Sequence, residues 1–470
     1  MKLEMKIKHY IILSAFALSL ASCEKKLDLL PEQDLTEETI FNSPSTAKSA
    51  VLGIYSTAQT LDFYGSLPQL IGEYMGDNVE FVGSFPTLQE LRDYTTVSTN
   101  SNVSGIWQLH YQVITRANKV IARIPGVPGL TDAEKAQYVG EAKFMRALAY
   151  FQLVNLFAQP YQVSNGSNLG VPLVLEDFTG TISYPARNTV NEVHAQIQTD
   201  LTEAAAALPA SYPNSVETRG RATKGAAFAL LSRLHLYREA WGEAETAARA
   251  ALATNQYERA SDYSFYSKDT EEDVFTIQNS AVDNGRTGSG GWAAYFTPTQ
   301  SGGRGDAPFS ASLIAAYEAE PGDRRYALKQ TGTAADGLSR VFTTKFPDAV
   351  SNSDDSPVIR TTEVYLNLAE ALARQTPGSS EAITILNELR NRAGLAPKLV
   401  FLSQQALVDA ILLERRKELA FEGFRRMDLL RNRQPLGAGA ASAFGADKTI
   451  LPIPQRELDN NPSLQPNPGY

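Results

Sequence analysis

Glu414, Glu418 and Glu422 recur at four-residue steps among Arg415, Arg416, Lys417, Arg425 and Arg426. Two carboxylates flanking a bond are what glycoside hydrolysis needs, so this run is the first place to look for acid–base catalysis. Four-residue spacing also sets all three on one helix face, where interleaved charge reads as an ion-paired face rather than a reaction centre. The four histidines are His9, His110, His194 and His235, and none is spaced with another as a helical metal pair. His110 and His235 fall inside helical patterns and are expected to pack or hydrogen-bond internally. Cys23 is the single thiol, which excludes an internal disulfide, a Cys-rich zinc site and a dithiol redox pair. Asp269, Glu271, Glu272 and Asp273 offer the hard oxygen ligands calcium takes, yet no glycine stands at an EF-hand turn position. That run reads as solvated charge. No cofactor is expected; calcium is left open without a motif behind it. The glycines from Gly285 to Gly305 lack the Gly-Lys-Ser/Thr ending of a phosphate loop, and Arg304-Gly305-Asp306 reads as chance.

What remains is the chemistry of recognition. Sugars are bound by aromatic faces stacked on their C–H surfaces, with amides, carboxylates and guanidinium groups reading the hydroxyls. Residues 61–102 hold Tyr64, Tyr74, Asp77, Asn78 and Phe81, along with Phe63, Phe85 and Tyr94. Residues 262–356 hold Asn284, Arg286, Trp292, Tyr295 and Phe296. Trp292 is the sharpest candidate: glycines flank it, and of the three tryptophans it alone lies outside an expected helix. Its competing role is to plug the scaffold under a long loop, and core packing competes for each aromatic from Phe63 to Phe85.

Both stretches need a scaffold, and the chain supplies helices to either side. Thr131 with Glu134 forms a capping-box pattern ahead of a helix reaching about Phe157. Apolar spacing predicts further helices from Ser45-Thr46 to about Leu61, from Ser104 to Ile124, and from Val190 to Leu208. Residues 222–252 read as two helices broken near Trp241-Gly242. Their large and small residues alternate as in a tetratricopeptide repeat, where small residues let paired helices approach. Glu363–Arg374 and Ser380–Ala393, closed by Gly394, form a second pair, and one long helix is expected from Gln404 to Arg431. The fold class is mainly α: a tetratricopeptide-like helical scaffold with a large irregular loop-rich region and few short strands. Residues 23–470 are expected to form one domain, with helical halves 23–222 and 223–470 carrying loops 61–102 and 262–356.

The chain has 470 residues, 43% hydrophobic and 20% charged, which suits a large globular fold and excludes wholesale disorder. Its net charge of −9 lacks the basic footprint nucleic acid requires. Lys2, Lys6, Lys8 and His9 precede an apolar run from Ile11 to Leu20, too short for a membrane span but suited to a signal-peptide core. Leu20-Ala21-Ser22-Cys23 then resembles a bacterial lipobox. Residues 1–22 are therefore expected to be a lipoprotein signal peptide, with Cys23 the lipidated first residue of a mature chain of charge −11.

Behind that lipobox come Arg116-Ala117-Asn118-Lys119-Val120, then Glu141-Ala142-Lys143-Phe144-Met145-Arg146-Ala147-Leu148-Ala149-Tyr150-Phe151, and the Glu414–Arg431 run. The chain closes with Ile450-Leu451-Pro452-Ile453-Pro454, Glu457, Asn461-Pro462 and Gln465-Pro466-Asn467-Pro468-Gly469-Tyr470. In this order the set resembles the SusD/RagB family of outer-membrane nutrient-binding lipoproteins of Bacteroidota, across essentially the whole mature chain. The resemblance implies a lipid-anchored, outward-facing binder without catalysis. It would pass oligosaccharide or polysaccharide, or in some members peptide, to a SusC-like TonB-dependent transporter. A surface glycoside hydrolase is the alternative from another class, and a protein-binding repeat scaffold the third. The first predicts binding without turnover. The second needs a carboxylate pair whose loss stops cleavage and spares binding.

Overall fold

The computed structural model describes residues 39–267, 270–285 and 290–470. Cys23 and Asp269 lie outside the described residues, as do Arg286 and the expected signal peptide.

Helices begin where the sequence can satisfy their first N–H groups. Ser43 caps α1 (Pro44–Ala58) with Pro44 at its first position, two residues before the expected start. Helix α1 ends at Ala58 rather than Leu61, because Leu61–Gly65 winds into a wider five-residue turn. Two helices then occupy a stretch expected to be irregular: α2 (Leu67–Tyr74) and α3 (Pro86–Arg92), each with a proline in its first turn. Next come α4 (Ser101–Arg123), capped by Asn100, and α5 (Asp132–Phe157), with the expected Thr131/Glu134 capping box. A second such box at Thr189 and Glu192 opens α6 (Val190–Ala207).

Short α7 (Ser215–Gly220) leads to the pair α8 (Lys224–Tyr237) and α9 (Trp241–Leu252), so Trp241 starts the second helix of the hairpin. The 262–356 stretch has its own elements: β1 (Asp273–Ile277), α10 (Trp292–Phe296), α11 (Ala311–Glu318), β2 (Lys329–Thr333), β3 (Ser339–Thr343) and β4 (Ser356–Arg360). Strands β1 and β4 pair antiparallel, Asp273 opposite Arg360 and Ile277 opposite Ser356, with a register shift between. Strands β2 and β3 form a hairpin, Lys329 opposite Thr343. The second helical block is α12 (Thr361–Gln375), α13 (Ser380–Arg392), α14 (Gln404–Leu419) and α15 (Arg425–Arg431), followed by α16 (Gln455–Asn460).

Helices pack on their chain neighbours as α4 on α5, α5 on α6, α8 on α9 and α12 on α13, and α9 on α12 joins the two blocks. This is a stacked helical-pair scaffold of the expected tetratricopeptide kind. Apolar residues from both halves share one core, where the rings of Phe144 and Phe275 meet edge to face at 4.9 Å. Two residues of the C-terminal and upstream motifs act as ties. Asn467 donates to the carbonyls of Phe157 (2.8 Å) and Leu451 (2.7 Å). Asn118 accepts from Arg146 (2.8 Å), which also holds Asp200 at 2.7 Å.

Two expectations fail for a common reason. The helix expected from Gln404 to Arg431 breaks after Leu419, where Phe421 (φ +70°) and Gly423 (φ +84°) turn the chain. The freed carbonyls of Glu418 and Ala420 accept from Lys345 Nζ at 2.8 and 2.9 Å. Nor are the acidic residues solvated. Glu414, Glu418 and Glu422 are buried, as are Glu272 and Asp273 of the acidic run. Arg325 binds Asp323 (2.8 Å) and Glu414 (2.6 Å), while Arg392 binds Glu418 (2.8 Å). Arg360 bridges Glu272 and Glu422, each at 2.8 Å. The ion pairing is as expected, but it lies inside, because β4, α13 and the 323–325 turn bring arginines over α14 from elsewhere in the chain. His110 is fully buried, its Nδ1 2.7 Å from the Ile106 carbonyl, and His235 is buried as well.

Candidate ligand-binding face

The two recognition stretches meet. At one seam, the turn at Leu61–Gly65 receives residues 278–285 and 290–291. Gln59 Nε2 donates to the Gln278 carbonyl (2.9 Å), and Ser66 Oγ donates to the Gly290 carbonyl (3.0 Å). Gly285 is required there, since a Cβ would stand 2.7 Å from the Gln59 backbone. At the second seam, the N–H groups of Glu80 and Val82 donate to the carbonyls of Pro308 (3.0 Å) and Asp306 (2.8 Å). The Ser310 N–H returns a bond to the Asn78 carbonyl at 2.9 Å. Segments more than 200 residues apart thus form one face, supported from below by α2 and the α14–α15 break.

Most of the singled-out side chains look inward from that face. Trp292 is 2% exposed, its ring edge-on to Phe346 at 5.3 Å and to Phe296 at 5.8 Å. Phe296 continues the stack to Phe421 at 5.5 Å. Trp292 therefore has the plugging role under the long loop. Tyr64 is buried and accepts from Gln152 (2.6 Å), and Tyr74 lies buried against Phe81, ring centroids 4.7 Å apart. Asn78 is buried between Glu73 (3.0 Å) and Arg416 (2.9 Å). Burial opposes ionisation of Asp77, but Arg425 at 2.5 Å and Arg416 at 3.3 Å outweigh it and hold the carboxyl below its ordinary range. Asn284 is partly exposed and donates to the Ser280 carbonyl at 2.7 Å.

The exposed chemistry sits on two residues less emphasised in the sequence. Phe85, at the N-cap of α3 immediately before Pro86, is 53% exposed. The Arg304 guanidinium is sandwiched between the rings of Phe85 and Tyr295, 4.3 Å from each centroid. So Tyr295, although buried, supports the exposed platform from behind. Arg304 Nε donates to Asp306 at 2.6 Å, while its buried Nη2 has no hydrogen-bond partner among the described residues. Arg304-Gly305-Asp306 is thus an internal ion pair. Burial raises the Asp306 carboxyl and Arg304 pulls it back down, leaving it above its ordinary value. The Asp62 carboxyl, against Gly105, is pushed up to about 6 by burial.

At the other end of the face a cleft of about 540 Å³ opens beside Gln59. Its rim is apolar at Leu52 and Val216, and its walls offer Gln278, Asn279, Asp283 and Asp355. The buried Oδ1 of Asn279 has no partner among the described residues. An exposed ring backed by a guanidinium and a cleft of amides and carboxylates suit a polyhydroxylated ligand. Phe85 was legible as a loop aromatic, and its place before Pro86 is the one local hint that it points outward.

Comparison with known proteins follows the same outline. A family profile described as starch-binding associating with outer membrane matches residues 25–236, and the SusD family profile matches residues 329–449. A SusD-like protein from Formosa agariphila is 27% identical over 98% of each chain. The starch-binding protein SusD of Bacteroides thetaiotaomicron is 24% identical over 73% of this chain and 74% of its own. The crystal structure of a SusD superfamily protein from B. thetaiotaomicron superposes with a TM-score of 0.81 at 26% identity, covering 91% of this chain and 100% of that one. Profiles, relatives and fold agree on one assignment: the chain belongs to the SusD/RagB family.

Proposed function

We propose that this protein is a lipid-anchored outer-membrane binder that captures oligosaccharide or polysaccharide at the cell surface and delivers it to a SusC-like TonB-dependent transporter, without catalysis. The observation that carries the reading is the Phe85–Arg304–Tyr295 stack: an exposed aromatic ring backed by a guanidinium, on a face joined from two distant loops. Starch binding by a relative that aligns over most of both chains supports a glycan as the ligand. The carboxylates that would have suggested hydrolysis are buried in ion pairs, with no route to a substrate on the surface.

The test is affinity electrophoresis of the purified chain in gels cast with starch, laminarin, pectin and fructan. Retardation by at least one glycan, weakened in Phe85→Ala and Arg304→Ala, is expected, with reducing ends unchanged over hours. Release of new reducing ends would establish a hydrolase. Absence of retardation by every glycan would exclude polysaccharide capture by this face and turn attention to peptides.

A further inference from the structure

Helix α4 borders a second cleft, of about 460 Å³, which shares no lining residue with the cleft beside Gln59. Trp107 and Tyr111 form part of its wall, ring centroids 5.0 Å apart, with Trp107 packed edge to face on Phe157. Three distant segments are tied together around it. Tyr111 Oη donates to the Pro172 carbonyl at 2.8 Å, and Asn461 Nδ2 donates to the Pro185 carbonyl at 2.9 Å. Tyr184 stands at the rim, 51% exposed, beside the exposed Ile182.

The polar groups of this cleft are largely uncommitted. Gln112, Asn460 and Glu457 have no side-chain hydrogen-bond partner among the described residues, and Gln108 is engaged only with Ser104 (3.1 Å). These are planar amides and one carboxylate, set beside a half-exposed phenol ring in a cavity of ordinary small-ligand size. The Ile182–Pro185 stretch and the C-terminal residues that built the family resemblance meet here, with no part in the face described above.

We propose that this cleft is a second saccharide site, taking a short neutral oligosaccharide. Tyr184 would stack on a sugar face, and Gln112, Asn460 and Glu457 would read its hydroxyls. Its neutral preference follows from the lining: no lysine or arginine contributes, so a uronate or sulfated sugar would meet Glu457 without a countercharge. The proposal stands on this cleft's own residues and does not need the Phe85 face to bind glycan.

Isothermal titration calorimetry of the purified chain with maltotetraose, laminaritetraose and trigalacturonic acid tests it. The variants are Tyr184→Ala/Gln112→Ala and Phe85→Ala/Arg304→Ala, each checked by a thermal melt. A neutral tetrasaccharide should bind the second variant, weaken about tenfold or more in the first, and be preferred to trigalacturonic acid. Unchanged binding of every probe by Tyr184→Ala/Gln112→Ala overturns the proposal, as does preference for trigalacturonic acid or no binding by the parent chain. Loss only in Phe85→Ala/Arg304→Ala overturns it and leaves the first face standing. The reverse pattern keeps this cleft and removes that face.

Discussion

Lys345 Nζ donates to the backbone carbonyl of Glu418 at 2.8 Å, at the turn where α14 ends. One ammonium thereby caps the helix, satisfies the Ala420 carbonyl and pairs with Glu422 at 3.0 Å. Lys345→Met keeps the volume and removes all three bonds. Loss of one partner from a buried ion pair typically costs about 3–5 kcal/mol, and that is the expected drop in urea unfolding free energy. A change under about 1 kcal/mol would show that the α14–α15 break is held by the chain's own turn instead.

The buried ion pairs make stability fall in acid. Burial alone would raise the Glu418 carboxyl, but Arg392, Arg360 and Arg325 outweigh it and hold it down to about 2. A carboxylate depressed in the fold contributes stability above its unfolded value, near 4.3, and loses it as pH falls toward 2. His110 and His194, lowered by burial to about 4 and about 3, add to this from about pH 6.5 downward, since unfolding lets them take up protons. Tm should therefore decline below about pH 6.5 and steepen below about 4.5. A pH series of melts checks it, and a flat Tm from pH 7 to 3 would refute it.

Glu73 works in the opposite direction. Burial raises its carboxyl to about 7, against the lowering effect of hydrogen bonds from Asn78 and the Gly423 N–H. A carboxyl raised in the fold contributes most below its unfolded value and loses that contribution as pH rises from about 4.5 to 7. Glu73→Gln should remove this component, so the variant's stability relative to the parent should improve across that window. Parallel Tm–pH curves for the two proteins would refute the assignment.

Trp292 and Phe85 should separate stability from binding. Trp292→Ala opens a cavity in the Phe346–Phe296–Phe421 stack and should cost about 3–5 kcal/mol. Phe85→Ala should change stability by no more than about 0.5 kcal/mol while weakening glycan retardation. Chemical denaturation and affinity electrophoresis on the same preparations read both outcomes.

Gly72 and Gly423 mark the closest approach beneath the face. A Cβ on Gly72 would lie 2.1 Å from the Gly423 carbonyl oxygen, so α2 and the α14–α15 turn would have to part. Gly72→Ala should therefore cost at least about 3 kcal/mol, at the upper end for overpacking, because the obstacle is backbone and cannot rotate away. A soluble, parent-like melt would overturn this contact.

The helical scaffold was legible because its signals are local. Thr131 with Glu134 and the apolar steps of Val193, Ile197 and Leu201 act within a few residues, and the structure reproduces those helices to within a residue or two. The C-terminal and α4–α5 motifs gave the family for the same reason: they are contiguous strings. Expectations failed where a residue's fate depended on something distant. Nothing near Leu419 announces that Lys345 will cap a helix there, and the acidic spacing of α14 looks identical whether water or arginine covers it.

By itself, then, the sequence determined the mainly helical class, the paired-helix scaffold and the family, along with the two stretches that build the candidate face. Tertiary structure alone decided which aromatic reaches solvent. Trp292 and Phe85 both stand in loop sequence beside glycine or proline, yet 2% of one and 53% of the other is exposed. Exposure depends on what the rest of the chain lays over a side chain: Phe346 and Phe296 close over Trp292, while Arg304 supports Phe85 from one side only. Local pattern encodes the helices, but which surface stays open is decided by tertiary contacts, such as Phe346 on Trp292 and Arg304, more than 200 positions away in the chain, on Phe85.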